Sequence, residues 1–281
     1  MFHVNWKDIE PWPGYRNTCF ERDLFAKMLP SDEEAKRFQE YLSWAKVFTI
    51  APGKTMLRHQ CNHGVFVYVL DGKGKAEAGG VTKDFRPRDS FQVPADIPHA
   101  FINEDDTQAV TLLCLGWLCT RKGQQPQVKD VSEGEGATLG DLPVYNWFDD
   151  AEFALGHDGT LWWTGWTHML GETPEERMFK GHMMCTTPVG VALDPHAHHT
   201  GEIYFIEHGE GIMRVGDEEQ PVREGSIILI PADEVHAIKS TLEDQQMNIL
   251  IIATYSEALP FGSDKENVVL SAVKEGTFSK D

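Results

Sequence analysis

The sequence predicts an all-β protein that carries one domain twice, and two observations predict it. First, sliding the chain by 137 residues, so that Gly53 meets Gly190, lays 53–103 over 190–240 without a gap. Gly53, His59, Gly72, Gly74, Pro94, Asp96 and His99 then fall on Gly190, His196, Gly209, Gly211, Pro231, Asp233 and His236. Gly64, Gly79, Arg86, Ala95 and Ala100 repeat as well. Most of the shared residues are turn formers, whose backbone demands persist when side chains drift. Second, the stretches between them are short apolar runs of strand length, such as Ile203 to Ile206 and Ser226 to Ile230. Two copies are too few for a stacked solenoid.

Taken in order, the chain opens with residues that precede any strand-like repeat. Ser31-Asp-Glu-Glu34 after Pro30 matches a capping box. Phe38, Tyr41, Leu42 and Ala45 then share one helical face, so a short N-terminal helix is expected, packed on the first domain. The domains expected are 1–120, a linker over 121–145 and 146–281. From Arg121 to about Leu142 the chain is rich in Gly, Gln, Pro, Glu and Asp with little periodicity, which reads as an exposed crossover. Trp162, Trp163 and Trp166 precede the second copy, and core between the domains is the expectation for them rather than a roof over a pocket. Met178 to Cys185 and Gln246 to Thr254 read as strands flanking the second copy, and the polar tail from about Ser263 is expected over the surface.

The chemistry-bearing stretch runs from Gly190 to Ser240. Residues two apart on a strand face the same side, so His196 and His198 point together. Glu202 opens the next strand after a Thr200-Gly201 turn signal, and His236 follows Pro231-Ala-Asp233. Three imidazoles and one carboxylate in a common interior make a metal site with coordination positions open to substrate. Tyr204 and Ile206 share the Glu202 face, Ile238 follows His236 inward, and Met213 or Arg214 comes from a neighbouring strand. Tyr204 is the candidate catalytic residue, by holding a substrate oxygen or guiding a proton. His199 faces the other way.

These spacings resemble the cupin superfamily. Gly190, His196, His198, Glu202 and Gly209 meet every fixed position of its first motif, G-x5-H-x-H-x(3,4)-E-x6-G. Gly225, Pro231 and His236 meet the second, G-x5-P-x-G-x2-H-x3-N, with Asp233 in place of Gly and Ser240 in place of Asn. The resemblance implies two tandem antiparallel jelly-roll β-barrels, a bicupin, with His196, His198, Glu202 and His236 holding one divalent transition ion inside the second. Fe(II) is favoured, with Mn, Ni, Zn, Cu or Co as alternatives. In the first copy Cys61 replaces His198, Val65 replaces Glu202 and Arg88 replaces Gly225, while His59 and His99 remain. A vestigial pocket without metal is the expectation there. The alternative is a thiolate–imidazole set of His59, Cys61, His63 and His99 suited to zinc.

Composition narrows the function classes. The 281 residues carry 25 basic and 44 acidic side chains, a formal net charge of −19. So acidic a chain is a poor partner for nucleic acid or anionic membrane. No apolar run approaches a membrane span, and Met1-Phe-His-Val-Asn-Trp-Lys-Asp lacks the pattern of a signal peptide. Five cysteines without CxxC pairing fit reduced thiols, so a cytoplasmic location is expected. The partners expected are a small-molecule substrate and, in assembly, a second copy as a homodimer. For the reaction, a dioxygenase acting on a small carbonyl, enol or aromatic compound is favoured. A redox-neutral isomerase, lyase, decarboxylase or aminohydrolase is the alternative, and a binding protein without catalysis the third. An intact polar cluster in a barrel core argues against the last.

Overall fold

The structure, a computed structural model, describes residues 1–28, 42–117, 126–150, 152–155, 161–164, 181–254 and 269–270. Side chains are described for all of these except 152–155, 161–164, 181–183 and 269–270. The described chain is almost wholly antiparallel strand and divides into two compact units. One runs from Ile9 to Asp150, and the other joins Met1–Asp8 to the described residues from 152 onward.

Each unit is a pair of sheets, one of seven strands and one of five among the described residues. In the first unit, Gly64–Asp71 lies in the middle of the larger sheet, between Asp89–Val93 and Val110–Trp117. Its Val65, Val67 and Val69 alternate into a core shared with Phe48, Phe91 and Phe101. The smaller sheet pairs Thr55–Cys61 with His99–Ile102. In the second unit, Glu202–His208 takes the place of Gly64–Asp71, between Ser226–Ile230 and Met247–Ala253. Tyr204 and Ile206 enter a core with Met213, Ile228, Ile238 and Ile251. Ala192–His198 pairs with His236–Ser240 in the smaller sheet.

The repeat seen in the sequence is a repeat of register. His59 faces His99 and His196 faces His236, and Val65 faces Val93 as Glu202 faces Ile230. Both copies slip by one residue at the same place. The pairs Met56–Phe101 and Leu193–Ile238 lie just beyond a bulge that turns the following histidine inward.

The structure corrects three expectations. Leu42 and Ala45, which the sequence pattern puts on a helix, lie in the strand Leu42–Ile50. The rest of that expected helix, from Ser31 to Tyr41, falls outside the described residues, and the N-terminal helix found is one turn at Phe25–Met28. The expected linker contributes two edge strands to the first unit: Val128–Asp130 beside Thr55–Cys61, and Val144–Asn146 beside Asp89–Val93. Finally, the first residues belong to the second unit. Phe2–Asn5 pairs with Ser226–Ile230, and the His3 ring lies 3.0 Å from the Ser226 hydroxyl. The amino terminus meets Glu218 at 2.6 Å and Arg223 meets Asp8 at 2.7 Å, closing an edge that would otherwise stand open. A four-residue strand far from its partner leaves no periodic signal to read.

Of the aromatic cluster, Leu161–Thr164 is a strand beside Gly181–Thr187, while the side chains of Trp162 and Trp163, and all of Trp166, lie outside the described residues. The tail expectation also falls outside them, apart from Val269–Leu270, which pairs with Ala197 and His198. Cys19, Cys61, Cys114 and Cys185 are free and buried. No helix among the described residues is long and apolar enough to cross a membrane.

The turn at Gly72 shows how strictly these connections are set. Gly53 and Gly72 both take positive φ, at 63° and 79°. A Cβ at Gly53 would meet only the Asp106 carboxylate at 3.7 Å, whereas one at Gly72 would overlap the Ala109 carbonyl oxygen. Gly53→Ala is expected to cost about 1 kcal/mol and Gly72→Ala about 3 kcal/mol. Urea unfolding of the full chain measures both, and equal losses would contradict the overlap.

Candidate metal centre

His196 and His198 sit at the end of Ala192–His198, and His236 opens His236–Ser240 beside it. The bulge before His196 contains Pro195, which has no N–H to lose from the ladder. Each of the two facing histidines is locked the same way. The Nδ1 of His196 lies 2.7 Å from the Asp194 carbonyl and that of His236 2.9 Å from the Glu234 carbonyl. A carbonyl can only accept, so Nδ1 carries the proton and Nε2 presents its lone pair. Nitrogens of His196, His198 and His236 all lie within 4.8 Å of one another, close enough for one ion to bridge them.

Glu202 enters from the opposite sheet and completes the set. Its carboxylate oxygens lie 3.6 Å from His198 Nε2 and 3.0 Å from His236 Nε2. Burial works to raise the Glu202 carboxyl. The close approach of His236 and then of the other histidines outweighs it, holding the group at about 2. Burial and the neighbouring His236 push His196 down to about 4. An ionised carboxylate and a neutral imidazole, both at most 5 % exposed, therefore share an interior otherwise built mostly of Ile, Met and Val. A buried negative charge costs several kcal/mol unless a positive one joins it, and a divalent cation answers that need with the donor types it prefers.

The surrounding groups fall partly as the strand alternation expects. Tyr204 is fully buried, its ring edge-on to His236 at 5.6 Å and its hydroxyl bonded to Glu202. Burial first, then the Glu202 charge, pushes its phenol well above the usual range. Ile206, Ile238 and Met213 line the same core. Arg214 does not, since its Nε donates to the Gly216 carbonyl at 2.9 Å, so of the two residues considered the thioether is the one that faces in. His199 lies at the surface against Asp233, at 2.7 Å.

The two departures from the cupin motif have structural reasons. Asp233 has φ +63° and its counterpart Asp96 φ +64°, a left-handed conformation that glycine favours and Asp tolerates. Ser240 is buried at the position of Asn103 in the first copy. The Asn103 amide ties down the carbonyls of Ile50, Ala51 and Gln108, so this motif residue braces a turn and ligates nothing.

In the first unit, ring nitrogens of His59 and His99 and the Cys61 sulfur also lie within 4.8 Å of one another. His63 does not join them. The Trp44 indole donates to its Nε2 at 2.7 Å and the Asn62 side chain meets its Nδ1 at 3.0 Å, so the four-ligand alternative loses that imidazole. Val65, in the place of Glu202, lies in the apolar core.

A double barrel with a buried His/Glu set at the motif positions defines a class: a two-barrel β-protein with a candidate metal centre in its second half. The Cupin domain model matches residues 46–116 and 183–253, and the chain belongs to that family. Oxalate decarboxylase from Bacillus subtilis is similar in structure, with a TM-score of 0.66 and 12% identity, over 90% of this chain and 77% of that one. One description of it concerns its Mn(II) centres. Vicilin from Corylus avellana (hazelnut) superposes with a TM-score of 0.64 and 11% identity, over 90% of this chain and 85% of that one. Identities this low speak to the fold alone. Among curated proteins, a gentisate 1,2-dioxygenase from Haloferax sp is 44% identical over 43 residues, 15% of this chain and 12% of that protein's length.

The shift at His196 sets a pH dependence. Its folded value of about 4 lies below the ordinary 6.5, so below that value the unfolded chain binds a proton that the folded barrel refuses. The metal-free protein should therefore lose up to about 3 kcal/mol through this group as pH falls from about 7 to about 4. Glu202, held down instead, loses its contribution only in the lower window between its ordinary 4.5 and about 2. Urea unfolding of metal-stripped wild type and His196→Gln across the upper window should show the smaller loss in the variant. Parallel curves would refute the assignment.

Proposed function

We propose that the chain is a metal-dependent dioxygenase acting on a small aromatic or enol compound, with His196, His198, Glu202 and His236 holding the ion. The observation that carries it is the convergence of three imidazoles and one ionised carboxylate in a closed, mostly apolar core. The local likeness to a gentisate 1,2-dioxygenase supports the oxygenase branch and makes an aromatic acid such as gentisate the first substrate to try. When bound, an ion of the Fe(II) class would supply Lewis acidity toward a substrate oxygen and electron transfer toward dioxygen.

The protein's own groups do the rest. The i−2 carbonyls hold His196 and His236 in the tautomer that ligates. Glu202 supplies the one negative charge of the set, and Tyr204 steadies that carboxylate through its hydroxyl. Ile206, Ile238 and Met213 keep water from the reacting atoms. The phenol of Tyr204, protonated at any working pH, can also hold or return a proton at a substrate oxygen.

Loss of Glu202 removes a ligand, so Glu202→Ala should lose the second-barrel metal on gel filtration while wild type keeps it. Tyr204→Phe should keep the metal and the far-ultraviolet circular dichroism yet lower turnover by about 10- to 100-fold. The reaction class is tested by turnover of gentisate, catechols and keto acids in air and under argon, with Fe(II) and then Zn²⁺. The oxygenase reading expects activity with Fe(II) in air alone. Undiminished anaerobic turnover with Zn²⁺ would sink it and support the redox-neutral alternative, for which the same ligands serve a Lewis acid equally well.

A further inference from the structure

We infer that the first barrel carries a zinc site of its own, with His59, Cys61 and His99 as ligands and one coordination position left open. This reverses the vestigial pocket expected from the sequence, and it stands independently of the chemistry proposed for the second barrel. Three observations carry it. The Cys61 sulfur and ring nitrogens of His59 and His99 lie within 4.8 Å of one another, as the three imidazoles of the second barrel do. All three side chains are buried, at 4 %, 2 % and 1 % exposure for His59, Cys61 and His99. The Nε2 of His99 is enclosed and meets no hydrogen-bond partner, which in a core costs about 1–3 kcal/mol unless something accepts its lone pair.

The imidazoles are also prepared in the same way as their counterparts. His59 Nδ1 lies 2.9 Å from the Leu57 carbonyl and His99 Nδ1 2.9 Å from the Ile97 carbonyl, so both protons sit on Nδ1 and both Nε2 atoms are donors to a metal. The two rings face each other with centroids 4.2 Å apart, against 4.3 Å for His196 and His236. Tyr15 packs on His59 with ring centroids 4.2 Å apart and the rings tilted, and its hydroxyl donates to Asp130 at 3.2 Å. A cluster that had lost its purpose would be free to drift, yet the carbonyl locks, the register and the bulge are all kept.

The donor set selects the ion. Val65 removes the only carboxylate that the motif supplies, and Cys61 brings a sulfur in place of an imidazole. Thiolate with two imidazoles suits Zn²⁺, which takes Cys and His ligands with a water in the fourth place, and disfavours the harder Mn²⁺ and Mg²⁺. As the Zn–S bond forms, the Cys61 thiol releases its proton to solvent.

Metal-stripped full-length protein, reloaded with Zn²⁺ or Co²⁺ and desalted, tests this. Wild type should retain two equivalents of zinc and Cys61→Ser one. With Co²⁺, the near-ultraviolet thiolate-to-metal charge-transfer band should be present in wild type and Glu202→Ala and absent in Cys61→Ser. A thiolate band absent from wild type, or one that survives in Cys61→Ser, would overturn the site. Should Cys61→Ser fail to fold, X-ray absorption on zinc-loaded wild type still decides, because the second-barrel ligands contain no sulfur. A sulfur shell at about 2.3 Å supports the site, and a spectrum with nitrogen and oxygen scatterers alone overturns it.

Discussion

The structure depends on one backbone constraint: the antiparallel pairing that sets His196 opposite His236, with a one-residue bulge just before it. Facing residues on adjacent strands lie about 5 Å apart, the spacing that lets two imidazoles share an ion. The bulge turns the strand so that the following side chains converge, and the i−2 carbonyl then holds each ring in one tautomer. Everything chemical about the site follows from that frame. Glu202 and Tyr204 need only alternate inward from the opposite sheet to meet it.

The first unit keeps the frame and changes the donors. Asp96 N–H donates to the Cys61 carbonyl at 2.8 Å, as Asp233 N–H donates to the His198 carbonyl at 2.7 Å. Arg88 N–H reaches Val69 and Gly225 N–H reaches Ile206, each at 2.9 Å. Arg88 even holds φ +72° where its counterpart is glycine, with its guanidinium over the Phe148 ring at 4.1 Å. Contact with an aromatic face offsets part of the strain of a left-handed arginine. Backbone requirements thus outlast the residues that best satisfy them, and that is why the repeat is readable at all.

Charge explains the contrast between the two interiors. In the second unit an ionised carboxylate is buried among imidazoles, an arrangement whose desolvation a cation relieves. In the first, burial holds the Cys61 thiol up at about 12, so the metal-free cluster is neutral and can remain closed without a counter-charge. The fold itself leaves the reaction open, since oxalate decarboxylase and vicilin share it with this chain.

The sequence by itself determined the repeat, the antiparallel β class and the four second-barrel candidates, because glycine, proline and histidine spacings report turns and strand faces directly. It did not determine which strands close the sheets. Phe2–Asn5 and Val128–Asp130 are too short to carry a period, and both are held by partners far away in the chain. It misplaced Leu42 and Ala45, since a helical spacing of apolar residues is also met by a strand buried on both faces. Only the tertiary structure decided between His63 and Cys61 as neighbours of His59. Alternation allows both, and the Trp44 indole, arriving from another strand, engages the His63 ring. Local pattern sets which face a residue can take, whereas contacts between distant strands decide what it meets there.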